Sequence, residues 1–184
     1  MFAGFLVATL GAGCVTPGGG GTELFNGKNL DGWEVTDFAG GGAIKVKDGE
    51  IHMAMGELIS GINLAHENIP RTNYELEAEA MKLDGNDFFC GLTFPVGDTF
   101  ASFIPGGWGG TVVGISSIDG MDAAENETAT FKQFKTHQWY HFRVRVTPGK
   151  IQCWVDDEMV VDLLLEDRAI ALRAGPIELS VPIG

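Results

Sequence analysis

Apolar and polar residues alternate along much of this chain with a period of two, the pattern of half-buried strands. Two stretches show it most clearly. Over residues 73–83, Tyr74, Leu76, Ala78 and Ala80 fall on one side and Glu75, Glu77 and Glu79 on the other. Over 139–147, Tyr140, Phe142, Val144 and Val146 oppose His141, Arg143 and Arg145. Shorter extended runs are predicted at 33–38, 43–47, 50–54, 60–64, 87–94, 99–104, 112–116, 151–155, 159–164 and 177–181. Asp48-Gly49, Pro148-Gly149 and Asp156-Asp157-Glu158 supply turns between neighbouring runs. No stretch holds a helical period. The best window, 118–128, carries Gly120 and short polar residues and predicts a turn or two at most. Many short strands separated by turns predict an all-β sandwich or barrel.

The folded part opens on ELFNGKNLDGW, residues 23–33. Asn26-Gly27 and Asp31-Gly32 are tight-turn dipeptides, and Leu24, Phe25, Leu30 and Trp33 are anchors for burial. Ahead of this hook, residues 1–14 form an apolar run ending in Ala12-Gly13-Cys14. Its length suits a signal peptide and is too short to span a bilayer. The ending is similar to a bacterial lipobox, which would make Cys14 a lipidation site. No Lys or Arg precedes the run, and Leu10 lies one place further from the cysteine than usual. Residues 15–22, with four consecutive glycines, read as a tether, leaving 23–184 as one domain. The apolar run just before the end suggests a sandwich short of its last strand. An exported protein held at the membrane only through Cys14 is expected. The net charge of -13 argues against nucleic acid and anionic membrane surfaces as partners. Cys90 and Cys153 sit among apolar same-face neighbours and read as buried thiols, with a disulfide compatible with export.

The hook, together with Lys47-Asp48-Gly49-Glu50-Ile51, resembles the opening of the 3-keto-disaccharide hydrolase domain family. Residues 73–79, Gly85-Asn86-Asp87, His137-Gln138-Trp139-Tyr140 and Val155-Asp156-Asp157-Glu158 follow in the family's order. The resemblance implies a concanavalin A-like jelly-roll β-sandwich of two antiparallel sheets and cleavage of glycosidic bonds in 3-keto sugars. The chain departs from the family where Asn-Ser-Gly and a following Arg are usual. Here Asn86-Asp87-Phe88-Phe89-Cys90-Gly91 stands instead.

The ketone of a 3-keto sugar acidifies the C2 hydrogen, so a base can remove it and the C1 substituent can leave by β-elimination. Such chemistry needs a general base and a group that stabilises the enolate, and it admits a divalent metal as Lewis acid. His141, Arg143 and Glu57 are candidates, with Asp87 as an alternative base. Glu75, Glu77 and Glu79 lie roughly 6.5–7 Å apart at successive Cα positions of one strand face. That stripe can hold a saccharide, and it equally describes the solvated side of an amphipathic strand. Trp108, set among four glycines, can present a ring to a sugar or plug the sandwich. Asp119, Asp122, Glu125, Asn126 and Glu127 offer oxygens for a hard cation without matching a known loop spacing, or form a plain acidic loop. His137 and His141 have a helical metal spacing, but in a strand they stand about 13 Å apart and cannot share an ion. His52 and His66 are isolated. Two functions remain: an exported hydrolase or lyase of 3-keto glycosides, or a non-catalytic, lectin-like carbohydrate-binding module of the bacterial cell envelope.

Overall fold

The computed structural model describes residues 7–12 (as backbone), 21–38, 40–57, 59–65, 69–172 and 184. Among the described residues fourteen strands run in the order β1 (Val7–Ala12), β2 (Thr22–Glu23), β3 (Trp33–Val35), β4 (Ile44–Lys47), β5 (Glu50–Met53), β6 (Ile62–Leu64), β7 (Tyr74–Met81), β8 (Leu92–Val96), β9 (Thr99–Gly107), β10 (Val112–Ser116), β11 (Thr130–Phe131), β12 (Trp139–Val146), β13 (Lys150–Val155) and β14 (Glu158–Leu164). They form an antiparallel β-sandwich. One sheet has the order β14-β13-β12-β7-β1-β2, the other β11-β10-β9-β8, and β3-β6 and β4-β5 make two small ladders beside them.

The alternation explains the sandwich. Leu76, Phe142, Val144, Ile151, Cys153 and Val155 on the inner side of the long sheet are fully buried, as are Phe94, Phe103, Val113 and Ile115 opposite them. Phe103 and Phe142 meet edge to face across the two sheets, centroids 6.3 Å apart. Tyr74 ties the layers with a hydrogen bond from its buried hydroxyl to the Pro95 carbonyl, 2.6 Å. Burial pushes that phenol far above its ordinary range. Phe89, Phe134, Tyr140 and Phe142 form a second aromatic group, with centroids 4.9–6.3 Å apart.

The hook packs as its residues require. Phe25 and Trp33 are buried, Leu24 and Leu30 rest on the same core, and the Trp33 indole N–H donates to the Leu24 carbonyl at 2.9 Å. The Asn26 side-chain oxygen accepts from the amides of Lys28 and Asn29, closing the first turn. Asp48-Gly49 makes the β4–β5 hairpin with both residues at positive φ.

The structure differs from the sequence reading in three places. Residues 87–91 are irregular, because the Phe89 and Cys90 amides donate to the carbonyls of Gly106 and Pro105 before β8 begins at Leu92. Phe88 is therefore 40 % exposed, although its parity with Leu92 and Phe94 suggested burial. β9 runs on through Gly107, beyond the expected end at Ile104, so the glycine loop is shorter than expected. Residues 118–128 form turns, as the sequence predicts. Val7–Ala12, inside the segment read as a leader, pairs with β7 from Val7↔Glu79 to Ala12↔Tyr74, and Thr22 of the expected tether pairs with Leu10. Removal of a leader before Cys14 would take β1 with it. Cys14, His66 and the strand expected at 177–181 lie outside the described residues, while Gly184 exchanges backbone hydrogen bonds with Thr93 of β8.

Candidate functional site on the long sheet

The outer face of the long sheet carries the titratable cluster. β7 and β12 are antiparallel neighbours with the register Trp139↔Met81, His141↔Glu79, Arg143↔Glu77 and Arg145↔Glu75. β13 adds Trp154 opposite Arg143 and Gln152 opposite Arg145. Inner positions of these strands bury apolar groups, so a period of two turns every one of these side chains outward.

Three contacts organise the face. The Arg145 guanidinium pairs with the Glu75 carboxylate at 2.5 Å. The His141 imidazole leans diagonally to Glu77, Nε2 to Oε2 3.6 Å. The Arg143 guanidinium lies over the Trp154 ring, 4.0 Å from its centroid, and that of Arg145 lies over the same ring at 5.4 Å. Glu77 is in register with Arg143 but is taken by His141. Among the described residues, Arg143 has no carboxylate within ion-pair distance. The β13–β14 turn fixes the backbone beneath the imidazole. The His141 amide donates to the Asp156 carboxylate (2.9 Å), and the Asp156 amide returns a bond to the His141 carbonyl (2.7 Å). A base paired with an acid, next to a cation held by stacking, can take up a proton and stabilise a neighbouring oxyanion.

Of the residues expected at a site, His141, Arg143, Glu75, Glu77 and Glu79 are thus brought together. Glu57 is not: it stands exposed on the 54–61 loop, its side chain against Gly40. Near it a cavity of about 220 Å³ is lined by Thr36, Asp37, Phe38, Gly41 and Ser60. Asp87 is not there either. It accepts from the Gly109 amide at 2.7 Å and latches the 86–87 turn to the β9–β10 loop. Gly110 makes that approach feasible, since a Cβ there would sit 2.8 Å from the Asn86 carbonyl oxygen. Trp108 belongs to the same loop and packs on Ile104, Val112 and Ala123 of a separate small core. It is half-buried and serves the short sheet.

The acidic loop is likewise engaged. Asn126 is buried, its amide donating to the carbonyls of Ile115, Met121 and Asp122, and its oxygen accepting from Thr128. Asp119 and Glu127 both pair with Arg168. The Ala169 amide and then Arg168 hold the Asp119 carboxyl below its usual range, and Arg168 does the same for Glu127. No group of three or more His, Cys, Asp or Glu among the described residues is arranged to hold a metal ion. His137 ends the turn before β12 with its amide on the Lys82 carbonyl, and His52 lies 3.7 Å from Glu50. Cys90 and Cys153 are free thiols.

Trp154 and Asp156 were not among the expected site residues. Trp154 had a usable signal. The Pro148-Gly149 turn joins β12 to β13, and the register of that pair sets residue 154 against Arg143.

The class of this protein, an antiparallel β-sandwich with a charged and aromatic outer face, is carbohydrate-related by its family match. Residues 20–182 match the 3-keto-alpha-glucoside-1,2-lyase-like domain, and the chain belongs to that family. No curated protein and no solved structure matches it.

Proposed function

We infer that the outer face of the long sheet binds a 3-keto glycoside and cleaves its glycosidic bond by base-promoted elimination. The carrying observation is the His141–Glu77 pair beside an Arg143 that is stacked on Trp154. His141 takes the C2 proton, with Glu77 supporting the imidazolium that forms. The C2–H electrons enter the enolate, whose O3 charge is stabilised by Arg143. They then form the C1=C2 double bond as the C1–O bond breaks, and the leaving oxygen takes a proton from solvent. The product is an unsaturated 3-keto sugar, and addition of water across its double bond completes net hydrolysis.

The family's description, a 3-keto-alpha-glucoside-1,2-lyase-like domain, supports this chemistry. His141→Asn should lower turnover of a 3-keto disaccharide by about 10²–10⁴-fold with the fold intact by circular dichroism. Wild-type turnover retained in that variant would reject His141 as the base.

The second reading, a lectin-like module without catalysis, has its own support in the openness of this face, where Trp139 and Met159 are 39 % and 50 % exposed. Sugar binding without release of free sugar decides for it. The same proposal includes export and anchorage through a lipid on Cys14, supported by the apolar run ending in Ala12-Gly13-Cys14. Cys14→Ala should then move the protein from the membrane to the soluble fraction.

A further inference from the structure

We propose that Trp139 is the platform for the leaving group, and that the substrate lies along β12 in a fixed direction. The inference rests on the elimination reading of the same face. In a 3-keto sugar the carbons follow one another as C3, C2 and C1. The oxyanion forms on C3, the proton leaves C2, and the departing group is on C1. On β12 the outward side chains follow one another as Arg143, His141 and Trp139. Matching the guanidinium to the C3 oxygen and the imidazole to the C2 hydrogen leaves one direction for C1: away from Arg143 and toward Trp139.

The contacts on the face agree. His141 leans toward Glu77, the residue in register with Arg143, so base and cation converge on one stretch of the sheet. Trp139 lies beyond His141 on the other side, about 6.5–7 Å along the strand, roughly one pyranose further. Its ring is 39 % exposed on the face, and its cross-strand neighbour is the apolar Met81. An indole next to a thioether suits the C–H face of a second sugar or an aryl ring and offers nothing to a methoxyl group.

The test uses the full chain and two substrates, a 3-keto disaccharide and the methyl glycoside of the same 3-keto sugar. Trp139→Ala should lower the ratio of kcat/KM for the disaccharide over the methyl glycoside by roughly tenfold or more, mainly through KM. Trp139→Phe should restore most of that ratio. A ratio unchanged in Trp139→Ala would overturn the assignment while leaving the elimination reading intact. Wild-type protein inactive on both substrates would overturn the elimination reading and this inference with it.

Discussion

At the scale of single residues, the decisive contrast is between arginines. Arg168 is consumed by Asp119 and Glu127, Arg145 by Glu75, and Arg143 by no acid among the described residues. Arg143→Ala should abolish turnover and leave thermal stability within about 0.5 kcal/mol, since the change is on a solvent-facing surface. Arg143→Lys keeps the charge but loses the stacking on Trp154 and should recover little activity. Arg168→Ala should act on stability alone, with a defined pH dependence. Asp119 and Glu127 have carboxyls held below their ordinary values of 3.8 and 4.5. Their contribution is therefore complete above those values and fades as pH falls through the lower, folded ones. The stability gap between wild type and Arg168→Ala, read from denaturant titrations, should be largest near neutrality and close toward pH 3. A gap that widened in acid would refute the assignment. Burial pushes the Cys90 thiol up to about 12, although the residue keeps some exposed surface. Neither cysteine of the sandwich should react with iodoacetamide at pH 8 until the protein unfolds.

At the scale of elements, the loop over β10 is where composition misleads. Its acidic residues suggest a cation or a solvated turn. Its middle is instead a polar plug, in which Asn126 bonds three carbonyls and the Thr128 hydroxyl accepts from the Ile115 amide. Asn126→Ala removes the side-chain donor to these three carbonyls and the acceptor for Thr128, and should cost about 1–3 kcal/mol, measured by chemical denaturation. The long strands were legible because alternation specifies both a strand and its buried face, as in β7 and β12. Segment 87–91 was not. Parity cannot reveal that the Phe89 and Cys90 amides bond across to Gly106 and Pro105, a contact between distant residues. β1 was hidden by a different conflict, because an apolar run of that length fits a leader and a strand equally well.

At the scale of the whole molecule, the site follows from the sandwich. One sheet buries its inner residues, so its outer residues are aligned by register and not by loops. Parity alone put the three glutamates on one strand face and His141 with Arg143 on another; that β7 and β12 are neighbours came from the sheet order. Which of them touch could not be read from parity, because the diagonal His141–Glu77 pair and the Arg143–Trp154 stack depend on strand order and rotamers. Glu57, Asp87 and Trp108 failed to join them because each is held by local loop geometry elsewhere. In a chain of net charge -13, and on a face that also carries Glu75, Glu77 and Glu79, Arg143 is the cation left for an enolate, since Arg145 is paired with Glu75. The most direct measurement gives the full chain a 3-keto disaccharide deuterated at C2 and follows both sugar release and the label. Elimination predicts release of the free sugar, slowed by the isotope, with the deuterium lost to solvent. Release with the deuterium retained at C2, or binding without release, would contradict it.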